Sequence, residues 1–171
     1  MTKILLITGP SGAGKTTTAK QFLTQAAGTW AYISQDDIRQ LVKTGYASAD
    51  DYQKNWSTET KRQWDVSIPI CADIAKRYQA AGINCLIDCF APPHELKLWQ
   101  QYLADSTYST ILLLPTQTVT LARNASRSAP AKLKTNKIKQ NYSLFTTTAY
   151  EVAIDTSSLT LDEVVAKLLE L

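Results

Sequence analysis

Eight residues near the start of the chain decide the fold: Gly9-Pro10-Ser11-Gly12-Ala13-Gly14-Lys15-Thr16. They match the pattern GxxxxGK[ST], which is specific when it lies between a strand and a helix. An apolar β-type run, Lys-Ile-Leu-Leu-Ile-Thr over residues 3–8, comes directly before the pattern, and a helical pattern over residues 15–27 follows it. The context that the motif requires is present, so the sequence predicts a loop that binds nucleotide phosphates.

The residue types in this phosphate loop (residues 9–16) each have a physical role. The glycines permit backbone conformations that turn successive N–H groups toward a phosphate, and the following helix adds the positive end of its dipole. Lys15 is expected to reach the β- and γ-phosphates, and the Thr16 hydroxyl to ligate Mg²⁺. The predicted nucleotide-binding residues are Gly9, Pro10, Ser11, Gly12, Ala13, Gly14, Lys15, Thr16 and Thr17.

The predicted nucleotide is ATP, bound with Mg²⁺. Guanine specificity of the usual GTPase kind needs an Asn-Lys-x-Asp stretch after a strand. Residues 136–139 read Asn-Lys-Ile-Lys, with lysine at the place of the aspartate, and no predicted strand precedes them.

Apolar β-type runs alternate with helical patterns along the whole chain, which is typical of a parallel sheet covered by helices. The predicted strands are residues 3–8, 30–34, 84–88, 110–114 and 151–154, and the predicted helices are 15–27, 50–81, 93–104, 117–126 and 160–170. Gly82 is expected to end the second helix, Pro69 to kink or split it, and Thr160 with Glu163 to form a capping box. The prediction is a single α/β P-loop NTPase domain over residues 1–171, with three layers and a five-stranded parallel sheet.

Composition excludes several other classes of protein. The chain has 171 residues, of which 44% are hydrophobic and 19% charged, as in a globular domain. It has no apolar run of roughly 18 residues and no signal-peptide cleavage pattern, so we expect a cytoplasmic protein without a membrane span. Cys71, Cys85 and Cys89 lack the spacing of a zinc site or a disulfide framework, and the single histidine, His94, makes a histidine base improbable.

The basic residues are concentrated in one stretch. Between Asp105 and Glu151 there is no acidic residue, and six basic residues fall there: Arg123, Arg127, Lys132, Lys134, Lys137 and Lys139. The stretch fits either a solvated helical face or a local site for an anionic ligand.

Acidic residues follow the second predicted strand, in the stretch Ser34-Gln35-Asp36-Asp37-Ile38-Arg39. Residues just beyond the carboxyl ends of parallel strands line the ligand crevice. A carboxylate there can accept the proton of an attacking hydroxyl, and Arg39, three residues on from Asp36, can hold an anionic group. The alternative is that Asp36 caps a helix, and either aspartate could be the base.

These features resemble the P-loop kinases that phosphorylate hydroxyl groups, and among them the polynucleotide 5′-hydroxyl kinases. Such kinases carry a similar Asp-Asp-x-Arg after their second strand, so the resemblance implies that Asp36 is the general base and Arg39 the contact to an acceptor phosphate. They also place a helical lid at the position of about residues 123–142 here, which implies that Arg123 and Arg127, four residues apart on one helical face, stabilise the transferred phosphoryl group.

The resemblance extends to zeta-toxin-like sugar-nucleotide kinases and chloramphenicol-phosphotransferase-like enzymes, which share the phosphate loop and the carboxylate. It therefore implies ATP-dependent transfer to a hydroxyl, with a nucleic-acid 5′ end or an anionic small molecule as acceptor. A nucleoside monophosphate kinase and an ATP-driven switch without an acceptor are the other hypotheses.

Other residues keep more than one interpretation. Asp88, the last residue of the third predicted strand, is interpreted as a Mg²⁺ ligand, as an orienting group for Arg39, or as a cap for the Pro92-Pro93 turn. Residues 155–157, Asp-Thr-Ser, follow the last predicted strand, and the resemblance to related kinases implies that they lie beside adenine. The resemblance also implies acceptor contacts in one further region, from Tyr46, Tyr52, Lys54, Trp56 and Lys61. The four tryptophans, Trp30, Trp56, Trp64 and Trp99, are expected in core or rim packing rather than in base stacking.

Overall fold

Five parallel strands form the centre of the computed structural model, which describes residues 2–48, 56–128 and 132–171. The strands are β1 Ile4–Thr8, β2 Trp30–Ser34, β3 Asn84–Asp88, β4 Tyr108–Leu113 and β5 Val152–Ile154. They lie in the order β2-β3-β1-β4-β5, and each neighbouring pair is parallel. The predicted five-stranded parallel sheet is confirmed, with β1 at its centre.

The helices cover both faces of the sheet. They are α1 Lys15–Gln25, α2 Gln35–Gln40, α3 Thr58–Ala80, α4 Pro93–Tyr102, α5 Gln117–Ala125, α6 Thr135–Ser143 and α7 Leu161–Leu169, with a 3₁₀ turn at Thr147–Ala149. Alternate residues of β1 belong to two separate cores. Ile4 and Leu6 pack with α3 and α4, whereas Leu5 and Ile7 pack with α1 and α7. A strand buried on both faces reads as a continuous apolar run, which is why β1 could be predicted.

The helix ends confirm two of the expected signals. Gly82 has a φ of 81° directly after the last turn of α3, and Thr160 and Glu163 form the predicted capping box at the start of α7. Pro69 does not split its helix, because α3 continues through it from Thr58 to Ala80. The packing of the buried face of α3 against the sheet offsets the loss of a single backbone hydrogen bond.

Two short helices, α2 and α6, add to the five that the periodicity predicted. The predicted start of the long helix at residue 50 lies outside the described residues. Within the described part of the chain, no helix is both long enough and apolar enough to cross a membrane.

Trp99 is the largest fully buried side chain, and its neighbour on α4 offers a matched control. Trp99 is 0% exposed, whereas Leu98 is 37% exposed. We expect Trp99→Ala to lower the free energy of unfolding by about 3–5 kcal/mol, since it leaves a cavity between α4 and the sheet. Leu98→Ala is expected to change it by about 0.5 kcal/mol or less. Urea denaturation measures both, and equal losses would contradict this placement of the core.

Candidate active site

The phosphate loop begins directly after β1, where its backbone at Gly9 passes close to the backbone of β4. Gly9 has a φ of 151°, and a Cβ built there would lie 2.3 Å from the carbonyl oxygen of Leu113 on β4. Gly14 is in the left-handed conformation at the N-terminus of α1, with a φ of 97°. The two glycines thus make the turn and start the helix with its N–H groups toward the loop.

Lys15 lies over the loop that precedes it. Its Nζ donates to the carbonyl oxygen of Gly9 at 2.9 Å and to that of Pro10 at 3.4 Å. The ammonium is therefore held against the phosphate loop, and Lys15 lines the cleft, where a positive charge complements a phosphate.

The two predicted metal ligands are in direct contact. The Thr16 hydroxyl donates to Oδ2 of Asp88 at 2.6 Å, although the residues are 72 positions apart in the sequence. Asp88 ends β3, pairs with Ile7 of β1 and Ser34 of β2, and is only 7% exposed. It does not cap α4, whose N-cap is Pro92, so that interpretation is wrong.

A second hydroxyl also reaches Asp88. Tyr32 on β2 donates from Oη to Oδ2 at 3.1 Å. Burial, and then the negative charge of Asp88, raise the pKa of Tyr32 well above its ordinary value, so the phenol stays protonated and remains a donor. Sequence reasoning did not single out Tyr32, because its position in a strand predicted only packing.

The donor set at Thr16 and Asp88 fits Mg²⁺, which prefers hydroxyl, carboxylate and phosphate oxygens. Among the described residues there is no group of three or more His, Cys, Asp or Glu that could hold a metal ion. Mg²⁺ at this position would therefore take the rest of its ligands from nucleotide phosphates and water.

Helix α2 starts at a serine, not an aspartate. Ser34 is the N-cap, and its Oγ accepts from the backbone N–H of Asp37 at 3.2 Å. The interpretation of Asp36 as the cap is wrong, because the cap lies two residues earlier. Gln35, which is 1% exposed, then anchors the helix by donating to Ser67 on α3 and accepting from the N–H of Phe90.

Asp36 and Arg39 both lie on α2, but the Asp36 side chain is exposed and the Arg39 side chain is buried. The Asp36 side chain is 77% exposed, and its Oδ1 lies 3.9 Å from Nη1 of Arg39, which is 4% exposed. The Arg39 guanidinium lies near the rings of Tyr46 at 5.5 Å and Trp64 at 4.9 Å, and its Nη2 donates to Ala47 O at 3.0 Å. Cation–π contacts and burial hold this cation in place.

One cleft of about 580 Å³ joins these groups. The phosphate loop and Asp88 line one side, and Asp36, Arg39 and the rings of Tyr46, Trp64 and Phe90 line another. Asp37 is not among the lining residues, in contrast to Asp36. The region predicted as a lid, residues 123–142, contributes Arg127, Lys137 and Asn141. The cleft therefore places a phosphate-binding loop opposite an exposed carboxylate.

Arg123 and Arg127, the two arginines of the predicted lid, differ in position and in hydrogen bonding. Arg123 on α5 donates to the carbonyl oxygens of Ala13 and Thr156 and to the Thr156 hydroxyl, at 2.8–3.2 Å. Arg127 lies beyond the end of α5 and is exposed, so the two do not share one helical face. Arg127 lines both the cleft and a second cavity of about 360 Å³, beside Arg123, Thr156 and Leu159.

Asn141 is a lid residue that sequence reasoning missed. It is 4% exposed on α6, and its Nδ2 donates to the hydroxyl of Ser11 in the phosphate loop at 3.2 Å. Its spacing of three from the buried Ile138 marks one face of a helix, and that spacing was the available signal.

The predicted acceptor contacts are only partly brought together. Tyr46 lines the cleft, and Trp56 packs on Trp64 with ring centroids 5.0 Å apart. Lys61 pairs with Asp65 on the outer face of α3. Tyr52 and Lys54 lie outside the described residues.

The sheet order, the phosphate loop at the end of the central strand and the Thr16–Asp88 pair define a P-loop NTPase. The family model described as an AAA domain matches residues 4–147, and the chain belongs to that family. None of the curated proteins has a sequence that matches this chain.

Several solved structures share the fold. The tunicamycin resistance protein of Deinococcus radiodurans is 17% identical and has a TM-score of 0.72, covering 99% of this chain and 95% of its own. A gluconokinase from Sinorhizobium meliloti is 14% identical, with a TM-score of 0.71 over 98% and 90% of the two chains. The shikimate kinase of Acinetobacter baumannii, solved in complex with shikimate, is 15% identical, with a TM-score of 0.65 over 99% and 92%.

The close approach at Gly9 can be tested against a glycine that has free space around it. Gly82 also has a positive φ, but a Cβ there would meet nothing within 4 Å. We expect Gly82→Ala to cost about 1–2 kcal/mol of unfolding free energy from backbone strain alone. Gly9→Ala adds a clash with the Leu113 carbonyl and should cost about 2–5 kcal/mol in urea denaturation. Equal losses of unfolding free energy in the two variants would show that β4 moves to relieve the clash without a measurable loss of stability.

Proposed function

We propose that this protein transfers the γ-phosphate of ATP to a hydroxyl group of an acceptor bound in the cleft. The observation that carries the proposal is a single cleft with the phosphate loop, an exposed carboxylate at Asp36 and the cations of Arg39, Arg127 and Lys137. Phosphoryl transfer depends chiefly on positioning and on electrostatic stabilisation, and these groups supply both. The gluconokinase and the shikimate kinase of the same fold are, by name, kinases of small hydroxyl compounds.

ATP is proposed to bind across the two cavities. Its phosphates lie on the phosphate loop against Lys15, and its adenine lies in the second cavity beside Thr156, Leu159 and Val164. Arg123 joins the loop at Ala13 to Thr156, so it supports the adenine side. Thr16 and Asp88 would hold Mg²⁺, which neutralises charge on the β- and γ-phosphates.

Asp36 is proposed as the general base. As the acceptor oxygen forms its bond to the γ-phosphorus, its proton passes to the Asp36 carboxylate, and the bond to the β–γ bridging oxygen breaks to release ADP. Asp36 is favoured over Asp37 because Asp36 lines the cleft. Arg39 lies within 3.9 Å of Asp36 and can orient it or hold an anionic group of the acceptor.

Two cations, one in the phosphate loop and one in the lid region, are proposed to stabilise the transferred phosphoryl group. Lys15 acts from the loop and Arg127 from the lid, because Arg127 lines both cavities. Arg123 has its guanidinium bound to Ala13 and Thr156, which favours a supporting role over direct contact with the transferred group.

The acceptor that we propose first is a polynucleotide 5′ end. Lys132, Lys134 and Lys139 are exposed in the lid region, and buried Arg39 lies deeper in the cleft. Exposed lysines attract a phosphate backbone without sequence preference, and Arg39 can contact the internucleotide phosphate nearest to the 5′-hydroxyl. The second candidate is a small hydroxyl compound, favoured by the aromatic lining of Tyr46, Trp64 and Phe90 and by the names of the structural neighbours.

An acceptor panel with labelled ATP tests the function and its substrate class. The panel contains 5′-hydroxyl DNA and RNA oligonucleotides, nucleoside monophosphates, UDP-N-acetylglucosamine, gluconate, shikimate and a chloramphenicol-type alcohol. Label on the oligonucleotides supports the polynucleotide kinase, and label on a small hydroxyl compound supports the second candidate. Label on monophosphates alone would indicate a nucleotide kinase. Free phosphate alone, independent of any acceptor, would indicate an ATPase switch and overturn the proposal.

The two adjacent aspartates provide a matched test of the base. We expect Asp36→Asn to lower kcat by about 10²–10⁴-fold, because no carboxylate then accepts the acceptor proton. Asp37→Asn removes the same charge one residue away, outside the cleft, and should leave kcat within about twofold. Steady-state transfer assays with the acceptor from the panel measure both. Equal effects of the two substitutions would remove Asp36 from its role.

A further inference from the structure

Tyr32 and Asp88 lie on the same face of the sheet. In the register between β2 and β3, Tyr32 is opposite Leu86 and Ser34 is opposite Asp88. Leu86 belongs to the core on the α1 side, and the half-buried Tyr32 packs against that same core. The ring therefore anchors the side chain beneath α1, and the hydroxyl extends along the sheet to the carboxylate.

The two hydroxyl donors reach the same oxygen of Asp88. Thr16 and Tyr32 both donate to Oδ2, at 2.6 and 3.1 Å. Within the described parts of the chain, no donor is hydrogen-bonded to Oδ1. Since a carboxylate turns about its Cβ–Cγ bond, two donors from different elements, α1 and β2, restrict its orientation through Oδ2. Asp88 itself lines the cleft.

The two donors, Thr16 and Tyr32, differ in their position relative to the proposed nucleotide site. Thr16 lies at the phosphate loop, and its oxygen is itself a proposed Mg²⁺ ligand. Tyr32 is not among the residues that line the cleft, and it is not itself a proposed Mg²⁺ ligand. Groups that hydrogen-bond to a metal ligand orient it, and their loss costs about 10–100-fold in metal affinity.

We propose that Tyr32 is a positioning residue whose hydroxyl orients the Asp88 carboxylate for the Mg²⁺ of bound Mg–ATP. The inference rests on the proposed function, specifically on Thr16 and Asp88 as the groups that hold the metal. The phenol hydroxyl performs this role, and the ring serves packing. Removing only the oxygen therefore separates positioning from folding.

Tyr32→Phe, studied by isothermal titration calorimetry, tests the proposal without any assay of activity. ATP is titrated in EDTA and at a series of Mg²⁺ concentrations. We expect ATP affinity in EDTA to stay within about twofold of the unsubstituted protein, and the Mg²⁺ concentration that gives half of the Mg²⁺-dependent gain to rise about 10-fold or more. Tyr108→Phe, on β4, is the matched control and should change neither value. Asp88→Asn should raise the Mg²⁺ requirement at least as much as Tyr32→Phe.

The remaining outcomes overturn the inference in distinguishable ways. An unchanged Mg²⁺ requirement in Tyr32→Phe, together with a raised one in Asp88→Asn, would refute the role of Tyr32 and leave the metal site standing. Equal loss of ATP affinity with and without Mg²⁺ would show that Tyr32 is only structural. An unchanged requirement in Asp88→Asn would refute the metal assignment, and the inference with it. Failure of the unsubstituted protein to bind ATP would refute the proposed function itself.

Discussion

The backbone contact between Gly9 and the carbonyl of Leu113 is the constraint on which the site depends. β1 is the central strand and is buried on both faces, so its end cannot move independently of β3 and β4. A side chain at Gly9 would lie 2.3 Å from the Leu113 oxygen. Only glycine allows the chain to turn there, and that turn directs the phosphate loop and the N-terminus of α1 across the carboxyl edge of the sheet.

The charged groups gathered at that edge are held in different ways. Asp88 is almost fully buried, and the hydroxyls of Thr16 and Tyr32 satisfy its Oδ2. Arg39 is equally buried and lies close to two aromatic rings. Asp36, by contrast, is mostly exposed. Buried, bonded groups suit the fixed tasks of holding a ligand, and an exposed carboxylate is accessible to an incoming hydroxyl.

The lid region is hydrogen-bonded to the phosphate loop by one charged side chain and one neutral side chain. Arg123 bonds to Ala13 in the phosphate loop and Asn141 bonds to Ser11 in the same loop, so α5 and α6 each contact it. Arg127 and Lys137, which line the cleft, belong to the same stretch of the chain as these contacts.

The sequence by itself determined the features that local patterns encode. Four features each depend on neighbouring residues, and each could be predicted: the phosphate loop, the continuous apolar run of β1, the capping box at Thr160 and the glycine, Gly82, that follows α3. Periodicity also predicted five strands and five helices to within a few residues where the chain is described. The sequence left open whether Asp36 caps α2, because Ser34, Asp36 and Asp37 are all good caps, and the backbone geometry decides for Ser34.

Only the tertiary structure decided which distant residues meet. Thr16 and Asp88 come together because β1 and β3 are neighbours in the sheet, and Tyr32 joins them because β2 lies on the other side of β3. The separation of Arg123 from Arg127 depends on where α5 ends, and the contact of Asn141 with Ser11 depends on how α6 crosses the loop. Such contacts depend on packing between elements, and short-range sequence patterns do not specify which distant residues meet.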